Sequence, residues 1–269
     1  MQHGIVLTSV KDVDQLDDCV RRGGYNTVKV VTAWGVKDGG WNDQNMRRVL
    51  AMTPNVIVRT ATGDPSFLDE EGFYFIDPNR TVAEITPWYN RNPNIIIELG
   101  NEPNIRPQIQ TQIYRWVFNL KETINRVRMT FPLAKIIAPA VMIDKPDAEI
   151  YLDLAKDQMK RCDYIGGHLY EHFGWFGTYP ASTGQYTTLL RLYLNYFIDT
   201  PWYITELGIN DPKTPAAEKG KRYAEFVKRA DKKIKGVVYY HLETQGEVNK
   251  NYQIYPAGDA GFHRELYQL

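Results

Sequence analysis

Short apolar runs recur along this chain, and they alternate with stretches that have the spacing of amphipathic helices. The runs are rich in β-branched residues and have the length of buried strands. Eight of them are predicted as strands: Ile5–Ser9, Thr27–Ala33, Val56–Ala61, Ile95–Gly100, Lys135–Val141, Tyr164–Leu169, Trp202–Glu206 and Gly236–Leu242. Strands that alternate with helices pair in parallel through right-handed crossovers. The alternation therefore predicts an α/β fold with a parallel sheet.

The helical stretches favour the same architecture. The clearest one places its apolar side chains on a single helix face, at Ile113, Trp116, Val117, Leu120, Ile124 and Val127. A second carries Tyr223, Phe226, Val227, Ala230 and Ile234, and a third carries Leu189, Leu192, Tyr193 and Tyr196. Eight strand–helix units in 269 residues are typical of a closed (β/α)₈ TIM barrel. We therefore expect residues 1–269 to form one barrel domain.

An open, doubly wound sheet is the alternative to the barrel. That fold often carries a glycine-rich phosphate loop after its first strand. Here the first strand leads into Leu7-Thr8-Ser9-Val10-Lys11, which contains no glycine. The barrel is therefore preferred, and its active site is expected at the C-terminal ends of the strands.

The charge balance and the apolar segments exclude several classes of partner. Lys+Arg and Asp+Glu both total 32, so the formal net charge is zero and no basic surplus indicates nucleic-acid binding. No apolar segment has the length of a membrane span, and no charged leader with an apolar core begins the chain. We expect a monomer with no nucleic-acid or membrane partner, either cytoplasmic as written or secreted with a leader that has been removed.

Two glutamates stand where predicted strands end. Glu102 lies in Asn101-Glu102-Pro103, directly after the fourth strand, and Glu206 is the last residue of the seventh. Proline cannot continue a strand and biases the preceding residue toward extended geometry, so we expect Glu102 to be extended at the rim. Asn101 offers a donor and an acceptor that suit a sugar hydroxyl. Taken alone, Glu102 is explained equally well as part of a surface turn, and Glu206 is explained better as a solvated residue at a strand end.

The pair of glutamates is more informative than either one. The fourth and seventh strands face each other across a closed eight-stranded barrel, so both carboxylates can reach one central pocket. Paired carboxylates are what the acid-assisted cleavage of a glycosidic bond requires. A separation of about 5–5.5 Å gives retention of the anomeric configuration, and about 6.5–9.5 Å gives inversion.

These motifs resemble those of glycoside hydrolase clan A, which comprises retaining β-glycosidases on a (β/α)₈ barrel, including cellulase-, mannanase- and xylanase-like enzymes. The resemblance rests on Asn101-Glu102-Pro103, on Ile204-Thr205-Glu206 and on His168-Leu169-Tyr170 in the sixth strand. It implies that Glu102 is the general acid/base and Glu206 the nucleophile. It further implies that His168 lines the subsite, that Tyr170 hydrogen-bonds the nucleophile, and that the enzyme cleaves a β-linked poly- or oligosaccharide without a cofactor.

The eighth strand departs from the pattern of the clan. Many members end this strand with a tryptophan that forms the floor of the sugar site, whereas this chain has Tyr239-Tyr240-His241-Leu242-Glu243. We expect His241 or Glu243 to point into the site instead. The departure leaves the sugar and the linkage open.

Three charged residues interrupt the apolar strands. Strand parity offers Lys29, Arg59 and Glu98 on the adjacent second, third and fourth strands, and inward-facing charges of this kind must be paired. We interpret Glu98 as a structural ion-pair partner rather than a catalyst. Arg59 lies nearer the rim and is a candidate for binding substrate or supporting the nucleophile.

Aromatic residues in the predicted rim loops are further candidates for substrate binding. Trp34 and Trp41 follow the second strand, and Trp175 lies in a glycine-containing loop after the sixth. Exposed rings suit stacking against sugar faces, and packing onto the barrel is the alternative. We favour Trp34 and Trp175 as substrate contacts.

One segment matches the sequence pattern of a metal site. His168-Leu169-Tyr170-Glu171-His172 matches the H-x-x-E-H pattern, which needs a helix to bring its ligands to one face, and the glycines on both sides oppose a helix. We therefore expect no metal.

Two alternatives to a glycosidase stay open. A non-catalytic carbohydrate-binding barrel is opposed by the presence of both glutamates. A metal-dependent barrel hydrolase is opposed by the lack of His-x-His on the first strand.

Overall fold

The computed structural model describes residues 1–7, 13, 16, 20, 24–32, 41–60, 76–104, 110–143, 148–171, 193–209 and 214–240. The strands within them are β1 (Gln2–Leu7), β2 (Thr27–Val31), β3 (Asn55–Arg59), β4 (Ile96–Glu98), β5 (Lys135–Ile137), β6 (Val141–Met142), β7 (Ile165–Glu171), β8 (Trp202–Ile209) and β9 (Ile234–Tyr239). The helices are α1 (Asp43–Met52), α2 (Pro78–Tyr89), α3 (Gln110–Thr130), α4 (Ala148–Met159) and α5 (Ala216–Arg229).

The described strands form one parallel sheet in the order β5-β4-β3-β2-β1-β9-β8-β7-β6. Strands β5 and β6 are two parts of the predicted fifth strand, so the first and the last strand in this order are parts of one barrel strand. Ile137, the last residue of β5, forms a parallel bridge with Tyr164, just before β7. The Ala138 amide also donates to the Tyr164 carbonyl oxygen at 2.9 Å. The sheet is therefore a closed (β/α)₈ barrel, as predicted.

The break in the fifth strand has a simple cause. Pro139 lies between β5 and β6, and proline has no amide proton to donate to a ladder. Before the break the strand pairs with β4, and after it the strand pairs with β7. One segment therefore joins the two ends of the sheet.

The inside of the barrel has an apolar layer toward the N-terminal ends of the strands. It consists of Val6, Ile57, Ile96, Ile137, Tyr203 and Val238. Because side chains alternate across a strand, the next inward positions lie two residues further along each strand. Arg59, Glu98, Thr205 and Tyr240 occupy such positions, so the apolar layer forms the floor beneath a polar one.

The main core lies between the strands and the helices. Helix α3 buries Ile113, Trp116, Leu120, Ile124 and Val127, which are residues of the predicted apolar face. The second predicted pattern coincides with α5 through Tyr223 and Phe226, both fully buried. No helix in the described part of the chain combines the length and apolarity that crossing a membrane requires.

Candidate active site

Glu206 lies inside a strand rather than at its end, because β8 continues to Ile209. A β-bulge sets its direction. Ile204 pairs with Gly167 of β7, but Glu206 pairs with the next residue, His168, so β8 carries Thr205 as an extra residue. The register with β9 shifts across the same segment. Such bulges change where a side chain points.

The bulge turns Glu206 into the barrel. Tyr203 belongs to the apolar layer inside the barrel, and the Thr205 hydroxyl donates to Glu98 inside the barrel at 2.6 Å. Strict alternation would send Glu206 to the outer face. Instead, Thr205 and Glu206 both face inward, and Leu207 packs in the outer core.

The Glu206 carboxylate is buried and held by three donors. Its Oε1 accepts from Lys29 Nζ at 2.9 Å and from Arg59 at 3.2 Å. The Tyr170 hydroxyl donates to Oε2. Burial raises the pKa of Glu206, but His168, Lys29 and Arg59 lower it more, and the net pKa is well below its ordinary value. Glu206 is therefore ionised over the working range of most enzymes.

Glu102 is positioned by a loop. Strand β4 ends at Glu98, and Glu102 has a φ of 30°. The expected extended conformation before Pro103 is therefore wrong: the residue lies in the left-handed region, which costs about 1–3 kcal/mol outside glycine. Gly100, with a φ of 71°, turns the chain first, and its amide donates to the Thr60 hydroxyl at 3.0 Å.

The loop that carries Glu102 is anchored on both sides. Asn104 bonds both backbone groups of Met142 in β6, each at 2.9 Å. The Glu102 side chain is itself buried, and its Oε1 lies 2.6 Å from Nδ1 of His168. These contacts over-determine a conformation that sequence alone would not favour.

The two carboxylates approach each other closely. One carboxylate oxygen of Glu102 and one of Glu206 lie within 4.8 Å, and a ring nitrogen of His168 lies within the same distance of both. So close an approach is compatible with the separation of about 5–5.5 Å that the carboxyl groups have in retaining enzymes.

Glu98 forms a buried ion pair beneath the two carboxylates, as predicted. Its Oε2 lies 2.7 Å from Lys29 Nζ, with both side chains fully buried. Its Oε1 lies 3.5 Å from Nε2 of His168. Burial raises the pKa of Glu98, but Lys29 and His168 lower it more, to about 2. Glu98 therefore carries a fixed negative charge.

Arg59 and Asn101 support the nucleophile candidate. Arg59 donates to the Asn101 amide oxygen as well as to Glu206. Of the two roles considered for Arg59, the contacts place it directly on Glu206. They also occupy the Asn101 oxygen that the sequence suggested as an acceptor for a sugar hydroxyl.

Glu102, His168 and Glu206 also have the composition of a metal-ligand set. However, Oε1 of Glu206 already accepts from Lys29 and Arg59. A divalent cation at this oxygen would be repelled by both side chains. The arrangement therefore suits proton transfer and nucleophilic attack better than metal binding.

Solved structures share this architecture. A family 53 glycoside hydrolase catalytic domain from Ignisphaera aggregans has a TM-score of 0.65 at 13% identity, over 98% of this chain and 95% of that one. A β-mannanase from Thermomonospora fusca, solved with mannotriose, has a TM-score of 0.64 at 14% identity, over 98% and 91%. An endo-β-1,4-glucanase from Xanthomonas axonopodis pv. citri has 0.63 at 14%, over 99% and 98%.

This chain has the fold of the clan A glycoside hydrolases. No protein-family model and no curated protein matches the sequence. At these identities the likeness concerns the fold alone, so the chemistry must be argued from the residues of the site. Within the clan A fold, Asn101, Glu102, His168, Tyr170 and Glu206 converge at the C-terminal end of the barrel.

The aromatic candidates have a mixed outcome. Trp34, Trp175 and His241 lie outside the described residues, as does Glu243. The Trp41 ring packs edge-on against Trp88 at 5.4 Å, and its indole nitrogen donates to the Val31 carbonyl oxygen at 3.0 Å. Trp41 therefore packs onto the barrel, which was the alternative to a substrate contact.

Sequence reasoning missed one aromatic residue in the site. Tyr240 follows β9 directly, and its ring lies edge-on to Tyr170 at 5.4 Å between centroids. Strand parity could have found it, because Tyr240 stands two residues after the inward-facing Val238. The end of the eighth barrel strand therefore presents a tyrosine to the site.

Proposed function

We propose that this protein is a retaining β-glycoside hydrolase that cleaves a β-linked poly- or oligosaccharide by double displacement. The observation that carries the proposal is the pair of buried carboxylates whose oxygens lie within 4.8 Å and whose surroundings differ. Glu206 is held by two cations and a phenol, whereas the close partner of Glu102 is His168. We propose that residues 1–269 act as a single catalytic domain.

In the first step Glu206 is the nucleophile and Glu102 the acid. A Glu206 oxygen forms a bond to the anomeric carbon while the glycosidic carbon–oxygen bond breaks. Glu102 gives its proton to the departing oxygen, which leaves as a neutral alcohol. Lys29 and Arg59 keep Glu206 ionised, and the Tyr170 hydroxyl fixes its orientation.

In the second step Glu102 acts as a general base. The Glu102 carboxylate takes a proton from water while the water oxygen attacks the anomeric carbon and releases Glu206. Two inversions at one carbon give net retention. Glu102 ends the cycle protonated, ready for the next substrate.

The substrate would lie over the polar layer of the barrel. We propose that Asn101, Arg59, His168 and Tyr170 form the wall of the cleavage subsite. Trp34, Trp175 and His241 remain candidates for substrate contacts in the rim loops. The class of substrate is supported by the fold's occurrence in a β-mannanase and in an endo-β-1,4-glucanase. No cofactor enters either step.

The test is a screen of β-glycans and aryl β-glycosides with the wild type and Glu206→Ala. The wild type should release a product that keeps the β configuration, observed by proton NMR before mutarotation. Glu206→Ala should be inactive, and added azide should yield an α-glycosyl azide. An unchanged rate in Glu206→Ala would remove this residue from the mechanism. Activity lost in EDTA and restored by zinc would instead support a metal-dependent hydrolase.

A further inference from the structure

The site contains a buried cluster of ionisable groups whose charges can be counted. Its members, each at most 6% exposed, are Lys29, Arg59, Glu98, Glu102, His168 and Glu206. Lys29 and Arg59 carry two positive charges. Glu98 and Glu206 carry two negative charges, since their contacts with those cations keep them ionised. These four groups sum to zero.

The two remaining groups form a pair, because Nδ1 of His168 lies 2.6 Å from Oε1 of Glu102. With one proton on the pair the cluster is neutral, whether that proton sits on the imidazole or on the carboxyl. With none the buried cluster carries one negative charge, and with two it carries one positive charge. An uncompensated buried charge is costly.

We propose that Glu102 and His168 hold one shared proton over a wide pH range, and that Glu98 is the positioning residue whose charge keeps it there. Glu98 lies directly behind the pair: its Oε1 is 3.5 Å from Nε2 of His168. The Thr205 hydroxyl fixes that oxygen at 2.6 Å. Without the negative charge of Glu98, the cluster is neutral only when the pair of Glu102 and His168 holds no proton.

Among the residues that the structure describes, the other groups that face the pair do not change this count. Tyr170 on β7 and Tyr240 after β9 are phenols packed against each other. Burial and the neighbouring Glu206 raise the pKa of Tyr170, so it stays neutral. Burial lowers the pKa of His168, and so does Lys29, whose Nζ lies 3.4 Å from Nε2 of the ring. Glu206 and Glu102 raise it more, and its net shift is upward. That direction agrees with a retained proton.

The count has a catalytic consequence, which rests on the proposed function. When Glu206 bonds to the sugar it loses its negative charge. In the same step Glu102 gives a proton to the leaving oxygen and gains a negative charge. The net charge of the cluster is therefore zero both before and after this step, so the covalent intermediate does not leave an uncompensated charge in the buried site.

Nitrogen NMR of histidine-labelled protein tests the proton count without any substrate. The chain has five histidines, and His168 is assigned from the signal lost in His168→Gln. In the wild type its ring shifts should stay constant between about pH 5 and 8. In Glu98→Gln a titration midpoint should enter that interval. A wild-type midpoint at an ordinary histidine value would overturn the proposal.

The pH profile of kcat/KM is the second arm. Loss of a negative charge releases the proton earlier, so Glu98→Gln should move the basic limb to lower pH by about one unit or more. Thr205→Val removes the hydrogen bond to Glu98 and keeps its charge, so its limb should stay in place. Equal shifts in both variants would mean a structural role only and would overturn the assignment of Glu98.

The two arms separate this proposal from the proposed function. A His168 signal that is constant in the wild type and titrates in Glu98→Gln, in a protein that cleaves no glycoside, would contradict the function and support the shared proton. A His168 that titrates in the wild type of an active retaining enzyme would support the function and contradict the shared proton. If Glu98→Gln does not fold, the wild-type titration still decides whether the proton is retained.

Discussion

Glu102 and Glu206 share a residue type and lie within 4.8 Å of each other, yet their surroundings have little in common. Glu206 lies in a strand, at a bulge, and binds Lys29, Arg59 and Tyr170. Glu102 lies in a loop with a left-handed backbone and binds His168. Cations fix a charge on the first, whereas the second has a partner with which it can exchange a proton. These different surroundings support the two roles that we propose for the glutamates.

The largest expected effects are losses of activity, and their dependence on the leaving group distinguishes the two proposed roles. Glu206→Ala should lower kcat/KM by about 10⁴-fold or more on every aryl glycoside, because the nucleophile is lost. Glu102→Ala should lose about 10²–10⁴-fold on poor leaving groups, which need a proton. With dinitrophenolate, which needs none, the first step should survive in Glu102→Ala. Equal losses across leaving groups for both variants would contradict the division of roles.

Removing the shared cation should affect stability as well as activity. Lys29→Met leaves Glu98 and Glu206 without their common partner, and breaking a buried pair costs about 3–5 kcal/mol. Chemical denaturation of the variant and of the wild type measures the difference. Arg47→Met, which removes an exposed pair with Asp43, is the matched control and should change stability much less, because water and salt screen exposed charges. Equal small losses would mean that the cluster is not stabilising.

Acid should destabilise the protein through the fixed carboxylates. The folded-state pKa of Glu98 is about 2, and that of Glu206 is also lowered. Lowered carboxyl pKa values add stability that is complete above the unfolded value of about 4.3 and is lost as pH falls toward the folded value. Melting temperatures should therefore fall from about pH 4.3 down to 2. The fall should be shallower in Glu98→Gln, and identical slopes would contradict the assignment.

The smallest effect concerns the backbone of Glu102. Its φ of 30° strains any residue with a Cβ atom, and glycine relieves that strain. Glu102→Gly should therefore be more stable than Glu102→Ala by about 1 kcal/mol. Denaturant titration of the two inactive variants measures this. Greater stability of the alanine variant would show that the left-handed backbone is not retained.

Much of this fold can be predicted from hydrophobic patterns that repeat every two residues in strands and every 3.6 residues in helices. Alternating runs predicted the barrel, and strand parity predicted the buried network of Lys29, Arg59 and Glu98, because each stands two residues from other inward positions. Proline at 139 could also have predicted the split fifth strand. These features are local, so the sequence carries them directly.

The decisive details of the site are not local. Alternation along β8 would point Glu206 outward, and only pairing with β7 and β9 creates the bulge that turns it inward. The rule for residues before proline would make Glu102 extended, but contacts of its loop with Thr60 and Met142 impose another backbone. Tertiary contacts override local preference at the two positions proposed for catalysis.

Trapping the covalent intermediate tests the division of roles most directly. A 2-deoxy-2-fluoro β-glycoside with a good leaving group, matched to the sugar that the enzyme accepts, should inactivate the wild type with time. Peptide mass spectrometry should then place the fluorosugar on Glu206. An adduct on Glu102, or steady turnover with no adduct on either glutamate, would contradict the account.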